Sequence, residues 1–165
     1  MRNLLILLIF ISAYSCKNHK QHLPKKTLKI NQHDTVINLS KTRKLLFTGY
    51  KEILKEDSLY TKRLLLNADN HTIAEYTETF STGWFSLSPN KKYIILDRID
   101  LGYVYMSETD SILHDKYSCM LIKLNDGDII DYIVSICGGD SLWNKKNQII
   151  DTSYGDNRII FDPKK

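Results

Sequence analysis

The sequence predicts an all-β domain built from antiparallel sheets. Tyrosine contributes ten of the 165 residues and isoleucine is frequent, and aromatic and β-branched residues favour strands. No stretch repeats its apolar residues at the 3.6-residue period of an amphipathic helix. Asp126-Gly127 lies between two apolar runs, which is the sequence signal of a β-hairpin. Several short strands at this spacing are equally compatible with a β-sandwich or an open barrel.

The central stretch, residues 83–97, shows the strand pattern in its clearest form. Phe85 and Leu87 alternate with serines, which is the two-residue period of a pleated strand. Pro89-Asn90 then predicts a tight turn, because proline presets the first turn position and asparagine tolerates the next. Residues 93–96 are aromatic and β-branched without alternation, so this strand is expected to be covered on both faces.

The other elements follow from shorter runs of the same kind. Gly49 predicts a bulge or bend, residues 51–55 fit either a helical or an extended conformation, and residues 107–115 are expected to form a polar loop. The remaining strand predictions, in chain order, are residues 27–30, 35–39, 44–50, 59–66, 72–80, 99–106, 117–124, 129–136, 148–152 and 158–161.

The first sixteen residues carry the pattern of an export signal. Arg2 precedes an unbroken apolar run at residues 4–11, far short of the about 20 residues that a spanning helix needs. With Ser15 and Cys16 after it, the segment resembles a bacterial lipoprotein signal, although Ala13 and Tyr14 depart from the commonest pattern. The resemblance implies that residues 1–15 are removed and that Cys16 carries acyl chains. The alternative is an ordinary secretory signal with a chance cysteine.

Residues 16–26 are expected to be a flexible basic tether between the lipid and the domain. The segment holds four lysines and no acid, and removing these and Arg2 from the net charge leaves 4 − 5 = −1 for residues 27–165. The positive charge therefore belongs to the tether, and the body is not expected to bind nucleic acid. The lysines either contact anionic head groups or only keep the tether soluble. Lipoproteins exported to the cell surface resemble one another in an acidic stretch here, and its absence favours the periplasmic face.

Residues 27–165 are expected to be a single β domain with candidate repeats near residues 59–106 and 115–161. At an offset of 56, Leu65 meets Leu121 and Ile73 meets Ile129; with a slip of one, Leu87 meets Leu142. The unit of hairpin, glycine break and Ser-Pro-Asn-Lys-Lys turn resembles one blade of a WD-repeat or Tol-type β-propeller. A closed propeller needs about four or more blades, and this chain has room for two or three.

The residues that could carry chemistry do not form a known signature. No nucleophile elbow, phosphate-binding loop or paired-histidine motif occurs, so we expect no metal and no cofactor. Residues 125–128 predict a hairpin turn rather than a calcium loop, because the closing glutamate of an EF-hand is missing. If the turn has two residues, Cys119 lies opposite Val134 and Cys137 falls on the other face. The expected state of Cys119 and Cys137 is therefore two buried free thiols.

The expected function is that of a non-catalytic, lipid-anchored envelope protein that binds or organises another envelope protein. Aromatic residues that either fill the core or contact this partner are Trp84, Trp143, Tyr103 and Tyr105. One alternative is a small hydrolase or carbohydrate-acting enzyme that uses aspartates at strand ends; the candidates are Asp97, Asp100, Asp140 and Asp151. A second alternative is an immunity- or inhibitor-type lipoprotein that blocks one specific partner.

Overall fold

The structure, a computed structural model, describes residues 30–54, 57–107, 110–133, 143–152 and 157–164. This part of the chain is all-β and contains no helix, and each of its strand pairs is antiparallel. The strands form three sheets that do not close into a barrel. The prediction of an all-β antiparallel fold is therefore confirmed. Of the strand predicted at residues 27–30, only Ile30 is described, and it lies in no strand.

The strands of each sheet follow one another directly along the chain. The first sheet runs in the order β1 (Thr35–Asn38), β2 (Arg43–Leu54), β3 (Asp57–Asn67) and β4 (Thr72–Tyr76). The second runs in the order β5 (Phe85–Leu87), β6 (Tyr93–Tyr105), β7 (Ser111–Lys123) and β8 (Ile129–Ile133). The third pairs β9 (Ile149–Asp151) with β10 (Arg158–Phe161), and Trp143 bridges to Ile149.

The second sheet lies between the other two, and each of its faces belongs to a different core cluster. On one face Ile94 and Met120 pack with Leu45 and Leu65 of the first sheet. On the other face Ile95, Cys119 and Leu121 pack with Ile149 of the third sheet. This explains the uninterrupted apolar run at residues 93–96, where alternate side chains serve two cores. A smaller cluster lies on the opposite face of the first sheet and comprises Leu46, Leu64 and Leu66.

The two four-stranded sheets share one irregularity at matching positions. The β3–β4 register shifts between Leu65 and Leu66, and the β7–β8 register shifts between Leu121 and Ile122. These positions differ by 56, the offset found in the sequence. The aligned residues therefore lie on the third and fourth strands of their respective sheets. A four-stranded meander is the strand order of a propeller blade, and kinship with propellers stays a prediction.

Both predicted turns form, and the second has a longer loop than predicted. Lys91 N donates to the Ser88 carbonyl at 2.9 Å across Pro89-Asn90, and Lys91 takes a φ of 56°. The Asp126-Gly127 hairpin also forms, but its loop is longer than two residues, because Lys123 N donates to Asp128 O at 3.0 Å. Gly49 has a φ of 71°, and the β2–β3 register on both sides of it is unchanged.

Several predicted boundaries are wrong, each for a physical reason. β6 continues through Asp97 as one strand of 13 residues, because the buried carboxylate is satisfied by hydrogen bonds from Ser81 and Thr82. β7 begins at Ser111 inside the predicted polar loop, where both faces meet solvent and no core imposes an apolar pattern. β4 ends at Tyr76, and Phe80 and Ser81 instead bridge to strands of the two sheets. Of the two conformations left open for residues 51–55, the described residues 51–54 adopt the extended one.

The expectation of a free thiol at Cys119 is also wrong. Cys119 is disulfide-bonded, and its partner lies outside the described residues. Cys119 lies opposite Ile133 rather than Val134, because the loop is two residues longer than predicted and the β-bulge between the pairs at Ile122 and Leu121 then shifts the register back by one residue. A one-residue change of register reverses the facing of every later side chain. The parity argument that separated Cys119 from Cys137 therefore no longer applies.

Candidate partner-binding surface

The paired strands β6 and β7 extend well beyond the rest of the second sheet. Their register is continuous from Tyr93↔Lys123 to Tyr105↔Ser111. β5 pairs with β6 only at residues 94–96, and β8 pairs with β7 only at residues 119–122. In the described part of the chain, residues 100–105 and 111–116 therefore pair only with each other. We call these two segments the distal hairpin.

The distal hairpin exposes large apolar side chains on both faces. Tyr103 and Tyr105 lie on one face and are 64% and 76% exposed. Val104 and Ile112 form a directly opposed pair on the other face, and both are exposed. Single exposed apolar residues are ordinary on a protein surface, whereas a contiguous group at the end of a projecting hairpin is typical of a contact site.

The charges around this surface are confined to its rim. Residues 101–106, the end of β6 and the residue after it, contain no ionisable group other than tyrosine hydroxyls. Asp100 lies below it and forms an ion pair with Arg98 at 3.1 Å, while His114, Asp115 and Lys116 lie on β7. Protein interfaces commonly combine an aromatic, charge-poor centre with a polar rim. In the distal hairpin the charge-poor centre is the β6 segment with Tyr103 and Tyr105, and the polar rim consists of Asp100, residues 114–116 of β7 and Asp110 in the turn.

The structure separates the four aromatic residues that the sequence analysis proposed for partner binding. Trp84 and Trp143 are half-buried and pack against the core between the second and third sheets. The Trp143 ring stacks on Tyr93 at 6.5 Å, and its Nε1 donates to the Ser86 carbonyl at 3.4 Å. Tyr103 and Tyr105 are the pair that the fold leaves on the surface.

A small pocket of about 180 Å³ lies where the first two sheets meet. Its lining includes Arg63 from β3, Arg98 from β6 and Tyr132 from β8, and the Arg98 guanidinium lies 4.9 Å from the centre of the Tyr132 ring. Glu75 also lines the pocket and pairs with Lys62 at 2.6 Å. The pocket therefore holds charges of both signs and does not select for one sign of ligand.

Arg63 is the residue of this region that the sequence analysis missed. Its side chain is only 1% exposed. Its Nη2 donates to the Thr79 carbonyl at 2.8 Å, and its Nη1 donates to the Asp97 carbonyl at 2.9 Å. Burial lowers the pKa of Arg63 to about 10, and the nearby Asp97 charge opposes that shift. The sequence did contain a signal for this burial. Arg63 is followed directly by three leucines, which predict a strand that is covered on both faces, and an arginine in such a strand has no solvent-facing side.

Asp97 is completely buried and joins the segment after β4 to the second sheet. Its carboxylate accepts hydrogen bonds from the Ser81 hydroxyl and from both the backbone N and the hydroxyl of Thr82, the latter two at 2.7 Å. Tyr117 Oη lies 3.5 Å away. A buried carboxylate needs such donors to offset its lost hydration. The arrangement accounts for Asp97 as a structural residue.

The aspartates proposed for the hydrolase alternative do not lie together at strand ends. Asp97 and Asp100 are in the middle of β6, and their side chains point to opposite faces because their positions differ by three, an odd number, in a strand with continuous register. Asp151 ends β9 and is buried. Asp140 lies outside the described residues. The strand-end placement of Asp97 and Asp100 was therefore wrong.

The loop proposed as an alternative calcium site makes internal contacts instead. Asp126 pairs with Lys123 at 2.9 Å, and the hydrogen bond from Lys123 lowers the pKa of Asp126. The Gly127 carbonyl accepts a 2.6 Å hydrogen bond from Tyr76 Oη in the first sheet. Within the described ranges, no cluster of three or more histidine, cysteine, aspartate or glutamate residues is placed to hold a metal ion.

The predicted lipidation residue, Cys16, lies outside the described residues, as do the signal and the tether. Among the residues that are described, none forms a helix with the length and hydropathy needed to span a bilayer. No protein-family model matches the chain, and comparison with curated proteins and with solved structures finds no significant match.

Proposed function

We propose that the protein is a non-catalytic, lipid-anchored module of the bacterial envelope that binds another envelope protein through the distal hairpin. The observation that supports this proposal is the exposure of Tyr103 and Tyr105 at the end of a hairpin that projects past its sheet. Tyrosine combines a large apolar area with a hydroxyl and loses little conformational entropy on binding, which makes it common in contact sites.

The anchor in this proposal comes from the first sixteen residues. The acyl chains carried by Cys16 hold the domain at the membrane, at about 0.8 kcal/mol for each buried CH₂, and residues 17–26 link them to the domain. The lack of an acidic stretch after the cysteine supports a periplasmic location. The two buried charged side chains where the first two sheets meet, Arg63 and Asp97, hydrogen-bond across the contact between the sheets and to the segment that joins them.

The partner contact is tested by placing a photo-crosslinking amino acid at Tyr103 or Tyr105 and irradiating intact cells. A crosslinked envelope protein other than a second copy of this chain is expected from both positions. The matched control is Lys92, which is exposed at the opposite end of β6. If Lys92 captures the same protein with equal yield, or if neither tyrosine position captures any, binding through the distal hairpin is wrong.

The anchor is tested separately with Cys16→Ala. The parent protein is expected in the detergent phase of a phase-partitioning experiment, and the variant in the aqueous phase or retained as uncleaved precursor. Mass spectrometry of the mature parent should show the added mass of acyl chains on Cys16. An unmodified amino terminus would refute the anchor without bearing on the distal hairpin.

A further inference from the structure

The outer edge of β6 is partly occupied by the chain itself. Phe80 and Ile99 exchange two hydrogen bonds, at 3.0 and 2.9 Å, and Asp97 N donates to the Trp84 carbonyl. The backbone groups of Asp97 and Ile99 therefore point away from β7, toward this outer edge. In an antiparallel strand the direction of these groups alternates from residue to residue.

The same alternation identifies the unpaired groups farther along the strand. The register with β7 is continuous to Tyr105, so the N–H and C=O groups of Leu101, Tyr103 and Tyr105 also point to the outer edge. In the described part of the chain no strand or backbone group pairs with these three residues. These unpaired groups lie on the same edge of β6 as the groups of Ile99 that pair with Phe80.

This edge has none of the usual protection against pairing with another strand. Natural edge strands are blunted by lysine, proline or an inward-pointing charge. The run Leu101-Gly102-Tyr103-Val104-Tyr105-Met106 contains no charge and no proline, and its aromatic and β-branched residues favour strands. An edge of this kind accepts a further antiparallel strand with little electrostatic cost.

We propose that a second copy of this chain occupies the edge, so that β6 pairs with β6 of the partner across a two-fold axis at Tyr103. In this register Tyr103 opposes its own symmetry mate, and Leu101 opposes Tyr105 of the other copy. Each opposed pair exchanges two hydrogen bonds. The free edge begins beyond Ile99 and β6 ends at Tyr105, so the symmetric pairing uses the whole free segment without displacing Phe80.

The composition of the edge favours a second copy over an unrelated strand. The two-fold contact places Tyr103 opposite its own equivalent and lays the two runs side by side, so a charge close to the axis would lie near a like charge. None is present between Leu101 and Met106. The pairing also places the exposed tyrosines of both copies on one face, where cross-strand aromatic pairs add stability. The inference does not depend on the lipid anchor or on a heterologous partner.

The test uses sedimentation equilibrium of the full-length chain over a wide concentration range, in density-matched detergent. The parent protein is expected to reach the mass of a dimer. Tyr103→Pro should weaken association by about tenfold or more, because each copy loses an outward N–H donor while the N–H groups that pair with β7 remain. Tyr103→Phe is the matched control and should associate like the parent.

A second variant and a crosslink test the same contact independently, in case Tyr103→Pro associates weakly only because its fold is changed. Tyr103→Lys keeps the backbone donor, places two like charges across the axis, and should also weaken association by about tenfold or more. Under mild oxidation Tyr103→Cys should form an intermolecular disulfide, because an opposed hydrogen-bonded pair has Cα atoms about 5.5 Å apart. Ile112→Cys, exposed on β7, should not. A monomeric parent, or a dimer that persists in both Tyr103→Pro and Tyr103→Lys, would overturn the inference.

Discussion

The guanidinium of Arg63 in β3 donates a hydrogen bond of 2.9 Å to the backbone carbonyl of Asp97 in β6. This contact joins the first sheet to the second through a charged group that is almost fully buried. The same guanidinium also holds the Thr79 carbonyl, so one side chain fixes β3, β6 and the segment that connects the two sheets. The apolar core alone would leave those buried carbonyls without donors.

Arg63→Met is expected to lower the free energy of unfolding by about 2–4 kcal/mol, because the Thr79 and Asp97 carbonyls stay buried without partners. Urea denaturation followed by tryptophan fluorescence measures the change. Lys62→Met is the matched control on the neighbouring residue. Its ion pair with Glu75 is 40% exposed on both sides, so its loss should cost less than about 1 kcal/mol. Equal unfolding midpoints for the two variants would contradict this role of Arg63.

Gly127→Ala is expected to destabilise the contact between the first two sheets by about 2 kcal/mol or more, because overpacking and a positive φ both add cost. A Cβ at this position would lie 2.3 Å from the Ala74 Cβ, and the φ of Gly127 is 79°. Gly102→Ala is the control, since a Cβ there meets no atom within 4 Å. That variant should be neutral or slightly stabilising. If both alanine variants are equally stable, the docking of the hairpin loop on β4 is incorrect.

The raised pKa of Tyr76 makes the free energy of unfolding depend on pH in the alkaline range. Burial, with a smaller contribution from the Asp128 charge, raises the pKa of Tyr76 well above its ordinary value of 10.0. The folded state therefore keeps the phenol proton at a pH where the unfolded state loses it. The stability that this shift contributes is fully present below pH 10 and is lost as the pH rises toward the folded pKa, by up to about 1.4 kcal/mol for each pH unit.

Tyr76→Phe tests this assignment. At neutral pH the variant should be less stable by about 0.5–1.5 kcal/mol, because the hydrogen bond to the Gly127 carbonyl is lost. Above pH 10 the difference from the parent should shrink, since only the parent carries the Tyr76 penalty. Urea denaturation at several pH values measures both slopes, and the Arg63 titration is common to the two proteins. A difference that stays constant through the alkaline range would show that Tyr76 is not the responsible group.

The strands at residues 44–50, 59–66 and 93–96 were predictable because each places apolar side chains at positions that a local pattern reveals. Tyr103 and Tyr105 were identified as candidate contact residues in the same way, together with Trp84 and Trp143. Sequence could not separate these two pairs, because aromatic residues fill cores and contact sites alike. Whether a side chain is covered depends on which sheet lies opposite, and this is a contact between residues distant in the chain.

The bonding state of Cys119 shows the same limit at a smaller scale. The hairpin around Asp126-Gly127 was predicted, yet its longer loop and the bulge opposite Leu121 together leave the register one residue away from the predicted one, which removes the basis for a free thiol. A bulge at Leu65 shifts the β3–β4 register in the matching place. The local composition predicts neither bulge, because both arise from how neighbouring strands twist and pair.

The chain order of residue types was enough to establish the all-β class, the main turns and the resemblance of residues 1–16 to an export signal, because these depend on backbone preferences and short-range pattern. Three-dimensional packing was needed to bury Arg63 and Asp97 together, to leave the β6 edge beyond Ile99 without a pairing strand in the described part of the chain, and to half-bury Trp143 while exposing Tyr105. Those outcomes depend on the stacking of separate sheets, where the free energy of each side chain is set by neighbours that the local sequence does not contain.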